Sequence, residues 1–574
     1  MPSSLATPVR RAWRGGAIAA AYVLLALVVT HPLVWSPWSA IPTLPGRSEA
    51  VPLFNLWTIW WNVDRLGHAF QGYWQAPIFY PAADAFAFSE PQPLTALLAP
   101  VLWGTGSRVL AYNLFLWISL VLNGWTAERL LRQAGVGRLA AFLGGGMVLA
   151  LPFVLWQLDV AQLAPLWGIL WSWSALHRFR SGATLRRGLE LGAAVGVSSL
   201  LCFNLGLFHG VLLVAAGWIL VIGVPLKRIL TAGGVAIVMA AMLVSPFAWA
   251  LRQSAVRHGF HRDVDVVENL SAFAGDYAGT PDRAWIHLGR GASREGWELS
   301  PGWLKVGGAL AGAAWGLSRR RLRRWTVFLM SLAAAAFLLS LGPHLQIGGW
   351  SPWETVARTV PGMSQVRSVF RFGLFAQLAV VLLAAQSLQG VAWILPRLAL
   401  SGPPRWGVRA ARLAVLLIGG VFLFEIPPMA VQLVSLPPAP AHDTWIEFVR
   451  TRTPEGQGIV CLPVPVENRV ADFDETARWM YFGTFHGVPL LNGYSGFFPD
   501  EDFSRREILA REFPGELGMR LLAGLGIEFV VAKRSSLAGD LSGTWGDLEL
   551  RRAHRDDAAG VDVYELRTVP AAAE

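Results

Sequence analysis

Arg367 and Arg371 stand four residues apart in VPGMSQVRSVFRF (360–372). In a helix that spacing puts both guanidiniums on one face, where they suit a phosphate or pyrophosphate gripped bidentately at the level of lipid headgroups. The plainer reading is a pair of arginines snorkelling to ordinary headgroups or meeting acids of the C-terminal tail. His344, in LGPHLQIGG, is a candidate to join them, although a lone histidine more often serves packing. Asp159 lies in the turn WQLDVAQ (156–162) between two apolar segments. A carboxylate at a membrane boundary is costly unless paired, so binding or catalysis stands against simple helix capping. Asp84 and Glu90 offer hard oxygen ligands for a divalent metal ion, but no spacing selects one, and ion pairing with Arg65 or Arg108 is the alternative. The polar stretch from His258 to Glu298 carries Asp263, Asp265, Glu268, Asp276, Asp282 and His287. It suits a lid or an acceptor surface, or else a solvated loop. Gly144–Gly146 lacks the Lys-Ser/Thr of a phosphate loop, and no hydrolase elbow, C-x-x-C or H-E-x-x-H occurs.

The elements that must hold these residues are apolar. Of 574 residues, 54% are hydrophobic and 15% charged, with 28 Trp and a mean hydropathy of +0.44. Soluble domains carry roughly 25% charged residues, so an ordinary soluble enzyme is excluded, as are disorder and a disulfide scaffold. Cys202 and Cys461 sit in unlike surroundings and are not expected to pair. A spanning helix needs about 20 apolar residues. Eleven candidates begin near Ala17, Val109, Leu139, Leu163, Leu189, Leu207, Ile229, Trp303, Trp325, Phe372 and Leu413. The first resembles a signal peptide, but its length and the absence of a small-residue cleavage site suit an uncleaved anchor.

Charge sets the expected orientation. From Pro428 onward there are 14 basic and 22 acidic residues, a balance of −8, which leaves 34 against 16, or +18, for the first 427. Clusters at 129–138, 178–187, 227–228, 319–324 and 397–412 fall on alternate loops, as retained cytoplasmic loops do. This predicts a multi-pass membrane protein with its N-terminus inside and its tail outside. Nothing suggests a nucleic-acid partner. The expected domains are a transmembrane domain (1–427), with a first outer loop over about 36–107, and an α/β domain (428–574). GIVCLP (458–463), IEFVVA (527–532) and VDVYEL (561–566) read as strands, and 474–482 and 503–513 as helices. PLFNLWTIWWNVDRLGHA (52–69) alternates Trp and Leu with Asn, Asp and Arg, which predicts an amphipathic helix lying in the membrane interface.

This organisation resembles the GT-C superfamily of membrane glycosyltransferases. NLWTIWWN, IFYPAADAFAFSEP, LSLGPHLQIGG, VPGMSQVRSVFRF and PLLNGYSGFFP more closely resemble a bacterial family of GT-C-like multi-pass membrane proteins. With the eleven candidate spans, the fold expected is a GT-C-like polytopic α-helical membrane protein of a bacterial cytoplasmic membrane, with a small extracytoplasmic α/β domain at the C-terminus. The resemblance implies transfer of a sugar from a polyprenyl-phosphate donor to a glycan, lipid or protein acceptor at the outer face. Such proteins carry an acidic residue before the first loop's helix, in a Gly-Asp-Pro-like start. Here the sequence reads GRSEAVP (46–52), so the matching carboxylate is Glu49, displaced by about two positions. Glu49 and Asp159 are then the candidate catalytic residues, and Arg367, Arg371, His344 and Glu90 the candidate substrate-binding ones. The resemblance fixes no cofactor, and a divalent metal ion is compatible with the acids. A general base within reach of the acceptor hydroxyl and positive charge for the departing phosphate are what such chemistry needs. A silent scaffold of the same fold is the alternative, which the displaced carboxylate favours. A transporter comes third, since it calls for charges inside the spans and an internal repeat.

Overall fold

The structure is a computed structural model that describes residues 6–287, 297–398, 404–437 and 443–569. Its long helices are α1 (Ala6–Val29), α2 (Ala50–Gly67), α3 (Arg108–Ala134), α4 (Arg138–Leu149), α5 (Trp167–Arg180), α6 (Leu185–Leu201), α7 (Phe203–Ala216) and α8 (Leu226–Arg257). They continue with α9 (Trp303–Ser318), α10 (Arg320–Ser340), α11 (Gly373–Leu398), α12 (Pro404–Phe424), α13 (Asp443–Arg452), α14 (Asp474–His486), α15 (Asp502–Glu512) and α16 (Glu516–Gly524). The strands are β1 (Ala40–Thr43), β2 (Gln432–Ser435), β3 (Gly458–Leu462), β4 (Ile527–Lys533), β5 (Gly543–Trp545), β6 (Leu548–Asp556) and β7 (Val561–Thr568).

Two compact units emerge. The first gathers Met1–Val34, Leu114–Ala248 and His261–Val431; the second gathers Trp35–Asn113, Trp249–Phe260 and Gln432–Glu574. This division differs from the expected boundary at 427/428, because the first loop folds with the tail rather than with the spans. Backbone pairing explains why. β1 runs antiparallel to β2, from Ala40 opposite Ser435 to Thr43 opposite Gln432. Phe79 N–H donates to Asn492 O (3.2 Å) and Tyr80 N–H to Leu490 O (2.8 Å), so IFYPAADAFAFSEP and PLLNGYSGFFP form one packed pair.

Helices stand at the eleven expected places. Among the described residues, six helical segments are long and apolar enough to cross a membrane: Arg108–Ala134, Arg138–Leu155, Leu226–Arg257, Arg320–Ser340, Val369–Arg397 and Trp406–Phe424. The other five fall short of the usual span: the apolar part of α1 is Gly15–Val29, α5 and α7 have 14 residues, α9 has 16 and α6 has 17. Within the first unit, α6 meets α8 through glycines. A Cβ on Gly188 would stand 2.1 Å from Ala232 O, and one on Gly192 2.3 Å from Ala236 O. Such close backbone approach is how apolar helices gain contact without a hydrophobic driving force. His209 ties α7 to its neighbours through Ser172 on α5 (2.8 Å) and Ser198 on α6 (3.3 Å).

In the second unit α2 is buried on all sides, which corrects the expectation of a helix lying in the membrane interface. Asn55, Thr58 and Asn62 are as inaccessible as the tryptophans between them. The polar residues face loop backbone instead of water. Asn62 Nδ2 donates to Pro91 O (2.7 Å) and to Thr95 Oγ1 (3.0 Å), and its Oδ1 accepts from Tyr73 Oη (2.7 Å). The tail forms a five-stranded sheet in the order β3-β4-β7-β6-β5, with β3 parallel to β4 and the other pairs antiparallel. One face packs Val460, Val530, Tyr564 and Leu550 against Leu509 of α15 and Met519 and Leu522 of α16. Phe448 of α13 packs against Phe529 and His554 on the sheet. The expected strands and helices of the tail are therefore present.

Candidate functional site

Glu49 immediately precedes α2, and its side chain does not cap that helix. The first-turn N–H of Ala50 instead donates to Ser48 Oγ (3.1 Å) and to Asp474 Oδ1 (3.0 Å), while Ser48 Oγ donates to the same Asp474 oxygen (2.5 Å). Glu49 turns to Arg478, with which it forms an ion pair; each side chain keeps about a third of its exposure. Asp474 and Arg478 are four apart on α14, so one helical face presents an acid to the α2 N-terminus and a cation to Glu49. The anion beneath the N-terminus complements the helix dipole. Asp474 is the residue that sequence reasoning missed here. Its helix was legible, but a partner more than 400 positions away leaves no local signal.

The remaining acids of the first loop are placed differently from expectation. Asp84 pairs with Arg257, and Gln75 Nε2 also donates to it (2.9 Å). Arg65 pairs with Asp64, and Arg108 donates to Gly106 O (2.7 Å) and Thr484 O (2.8 Å). The expected pairing of Asp84 with Arg65 or Arg108 is thus replaced. Glu90 is half-buried beside Pro91, the residue whose carbonyl Asn62 holds. No three His, Cys, Asp or Glu side chains gather for a metal ion among the described residues. A metal bound by Glu49, Asp84 and Glu90 therefore does not fit, and no step below is routed through one.

In the first unit Asp159 is buried, at 2% exposure, with Gln157 at 3% beside it. Phe153 N–H donates to Gln377 Oε1 (2.9 Å), and Gln377 Nε2 donates to the carbonyls of Glu298 and Ser300 (3.0 Å each). Glu298, expected in a solvated loop, is buried in an ion pair with Arg283 (2.6 Å), whose guanidinium lies 5.6 Å from the Trp156 ring centroid. It also holds a φ of +49°, a conformation that side chains adopt only under constraint. Residues 288–296 of the same stretch lie outside the described residues. Trp297 stacks on Phe370 at 4.1 Å.

Arg367 and Arg371 do not share a helical face. Arg367 is exposed in an extended step, a 3₁₀ turn covers Val369–Phe372, and α11 begins only at Gly373. The four-residue spacing fails because its geometry requires continuous α-helix. Arg367 finds a different neighbour, Arg262, which sequence reasoning missed. Burial and the positive charge of Arg367 lower the Arg262 guanidinium to about 9, against the opposing pull of Asp263. Arg262 Nε approaches Gln365 O at 3.4 Å. His344 serves packing: Nδ1 meets Ala272 O (3.0 Å), the ring stacks on Phe273 (3.9 Å), and Nε2 lies 3.9 Å from Glu268. Phe370 N–H donates to Leu270 O (3.0 Å) and Ala272 N–H to Ser340 O (2.9 Å), so LSLGPHLQIGG and VPGMSQVRSVFRF meet on the segment around Leu270.

No family model matches the sequence, and no curated protein matches it. Solved structures do share its fold, and these neighbours are GT-C glycosyltransferases. One is the archaeal oligosaccharyltransferase AglB from Archaeoglobus fulgidus, in complex with an inhibitory peptide and a dolichol-phosphate. The TM-score is 0.53 at 14% identity, over 92% of this chain and 70% of that one. Another is the arabinofuranosyltransferase AftD from Mycobacteria, with a TM-score of 0.58 at 14% identity, over 96% of this chain and 39% of that one. The AftD mutant R1389S gives a TM-score of 0.56 at the same identity, over 96% and 41%. At such identity the likeness is one of fold.

Proposed function

We propose that the protein is a membrane glycosyltransferase that takes a sugar from a polyprenyl-phosphate donor and passes it to an envelope glycan, lipid or protein at the extracytoplasmic face. The observation that carries this reading is the approach of Arg262 to Arg367. Burial first and the charge of Arg367 second lower the Arg262 guanidinium, so a dianion arriving beside the pair would gain from both charges. A phosphate departing from an anomeric carbon is such a dianion. Arg371, four residues on, lies on the turn that leads into α11. The AglB neighbour, solved with a dolichol-phosphate and a peptide, supports a lipid-phosphate donor and an acceptor of glycan or protein class. Asp159, buried at a turn, and Glu49 are the carboxylates assigned to accept the hydroxyl proton or to orient the acceptor.

Alanine at Arg262 or Arg367 should weaken polyprenyl-phosphate binding by about 1.5–3 kcal/mol, with lysine only partly restoring it. Unchanged binding in both folded variants would overturn the phosphate assignment. The second reading, a silent scaffold, is favoured by the ion pair that already occupies Glu49. Neutralising Glu49 and Asp159 separates the two readings: an enzyme loses glycosyl transfer, whereas a scaffold still supports envelope glycan synthesis in a cell that depends on it.

A further inference from the structure

At one end of the first unit, turns that are distant in sequence converge. Gly137 N–H donates to Gln389 Oε1 (2.6 Å), a Cβ on Gly135 would lie 3.6 Å from Leu322, and Arg324 donates to Ile222 O (2.6 Å). This end carries RRRLRR (319–324), Arg180 and Arg397. Its acids are few. From Arg129 to Leu158, from Val160 to Leu189 and from Leu191 to Arg262 there is no carboxylate, and from Leu299 to Phe424 the single one is Glu354. Glu354 is paired with Arg358 on the separate helix Pro352–Thr359, while Glu128 and Glu190 are taken by Arg132 and Arg178.

The centre of this surface is built. Arg319 packs over Trp315 (4.1 Å) and Trp393 (4.0 Å), and Arg397 packs over the same Trp393 ring (3.7 Å). The two guanidinium carbons therefore lie no farther apart than their two distances to that ring combined. Arg323 Nε donates to Leu317 O (2.9 Å) and Arg397 Nη1 to Trp393 O (2.6 Å), and the buried Nε of Arg319 has no hydrogen-bond partner among the described residues. A cation on an indole face gains from the ring quadrupole, and among the described residues the acids of this region, Glu128, Glu190 and Glu354, pair with other arginines. The site also stands where two candidate spans end, at Arg320 and Arg397, with Trp393 and Ile394 exposed beneath it.

We propose that Arg319 and Arg397, on their tryptophan shelf, form a headgroup site for an anionic phospholipid bearing two phosphates, of the diphosphatidylglycerol class. Each guanidinium takes one phosphate, the indoles hold the glycerol level, and Ile394 meets an acyl chain. This site is independent of the sugar-transfer reading and lies on other residues.

The test is native mass spectrometry of the full-length protein in detergent, titrated with diphosphatidylglycerol, phosphatidylglycerol, phosphatidylcholine or inorganic phosphate. The wild type should hold diphosphatidylglycerol in preference to the other three. Arg319→Gln and Arg397→Gln should each weaken it roughly fivefold, and Arg319→Lys less. Arg358→Gln, at the Glu354 pair, should leave it unchanged. Three outcomes overturn the proposal: equal retention of the monophosphate lipid, displacement by inorganic phosphate at equal concentration, or wild-type affinity in the double glutamine variant. Should Arg319→Gln fail to fold, Arg397→Gln decides alone, because its side chain is exposed.

Discussion

Glu49 stands directly before α2, yet the N–H at the start of that helix is taken by Asp474 and Ser48. This separates two functions that the sequence superimposed on one position. Glu49→Gln removes charge while keeping volume, and its ion pair is partly exposed, so stability should change by about 1 kcal/mol or less. Glycosyl transfer should fall by roughly 10² to 10⁴ if Glu49 acts in the reaction, measured with a polyprenyl-phosphate sugar and purified protein. If Asp159 serves the same step, Asp159→Asn should cost a comparable factor, and the double variant should be little worse than either single one. His486 provides a titration of a different kind. It is buried at the end of α14, its Nδ1 accepting from Val488 N–H (3.0 Å), and burial pushes its ring down to about 3. The folded state therefore keeps the ring neutral, whereas the unfolded chain protonates it near 6.5. Stability from this group is complete above about pH 6.5 and is lost as pH falls toward 3, at about 1.4 kcal/mol per pH unit. Denaturation between pH 4 and 7 should show that slope, and His486→Asn, which keeps an acceptor, should flatten it.

Among the elements, α2 shows how a pattern can mislead. Trp57, Trp60 and Trp61 interleaved with Asn55 and Asn62 describe a surface helix only if the asparagines face water. Here loop carbonyls and a tyrosine hydroxyl take that role, so both sides are buried. Asn62→Ala should destabilise the protein by roughly 2–4 kcal/mol, because Pro91 O and Tyr73 Oη lose their partner in the interior. Thermal unfolding in detergent would record it, and a change below 0.5 kcal/mol would contradict the burial. The α6–α8 contact makes a second case. Gly192→Val places methyl groups against Ala236 O and should cost about 1–3 kcal/mol or prevent folding. Gly233→Ala on α8, with nothing within 4 Å of its Cβ, should be neutral or slightly stabilising.

For the molecule as a whole, orientation follows from where arginine is retained. A cysteine at Ser542, in the tail, should react with a membrane-impermeant thiol reagent in intact spheroplasts, and one at Ser318, beside the RRRLRR turn, should not. Labelling in the reverse sense would invert the topology and remove the extracytoplasmic assignment of every proposed site. The two-unit division places the first loop with the tail, so deleting residues from Gln432 onward should expose α2 and destabilise the loop as well. Limited proteolysis of the truncated chain should then cut within residues 50–110, a stretch that the intact protein protects.

Composition alone determined the membrane class, since a chain with so few charges has no other solvent for its apolar surface. Short strands and helices of the tail were legible for a similar reason: GIVCLP and IEFVVA pattern residues that lie close in sequence, and local burial enforces the pattern. The spacing of Arg367 and Arg371 was equally visible but meant something else, because a spacing predicts a shared face only where the backbone is helical, and here Phe370 N–H turns to Leu270 O from a 3₁₀ turn. Pairings such as Arg262 with Arg367, Asp474 with the start of α2, and Arg319 with Trp393 join residues dozens to hundreds of positions apart. No local periodicity encodes such a partner. Only the closing of the chain on itself, which sets the distance between charges and the water left between them, decides which carboxylates and guanidiniums are already satisfied and which remain available for a ligand.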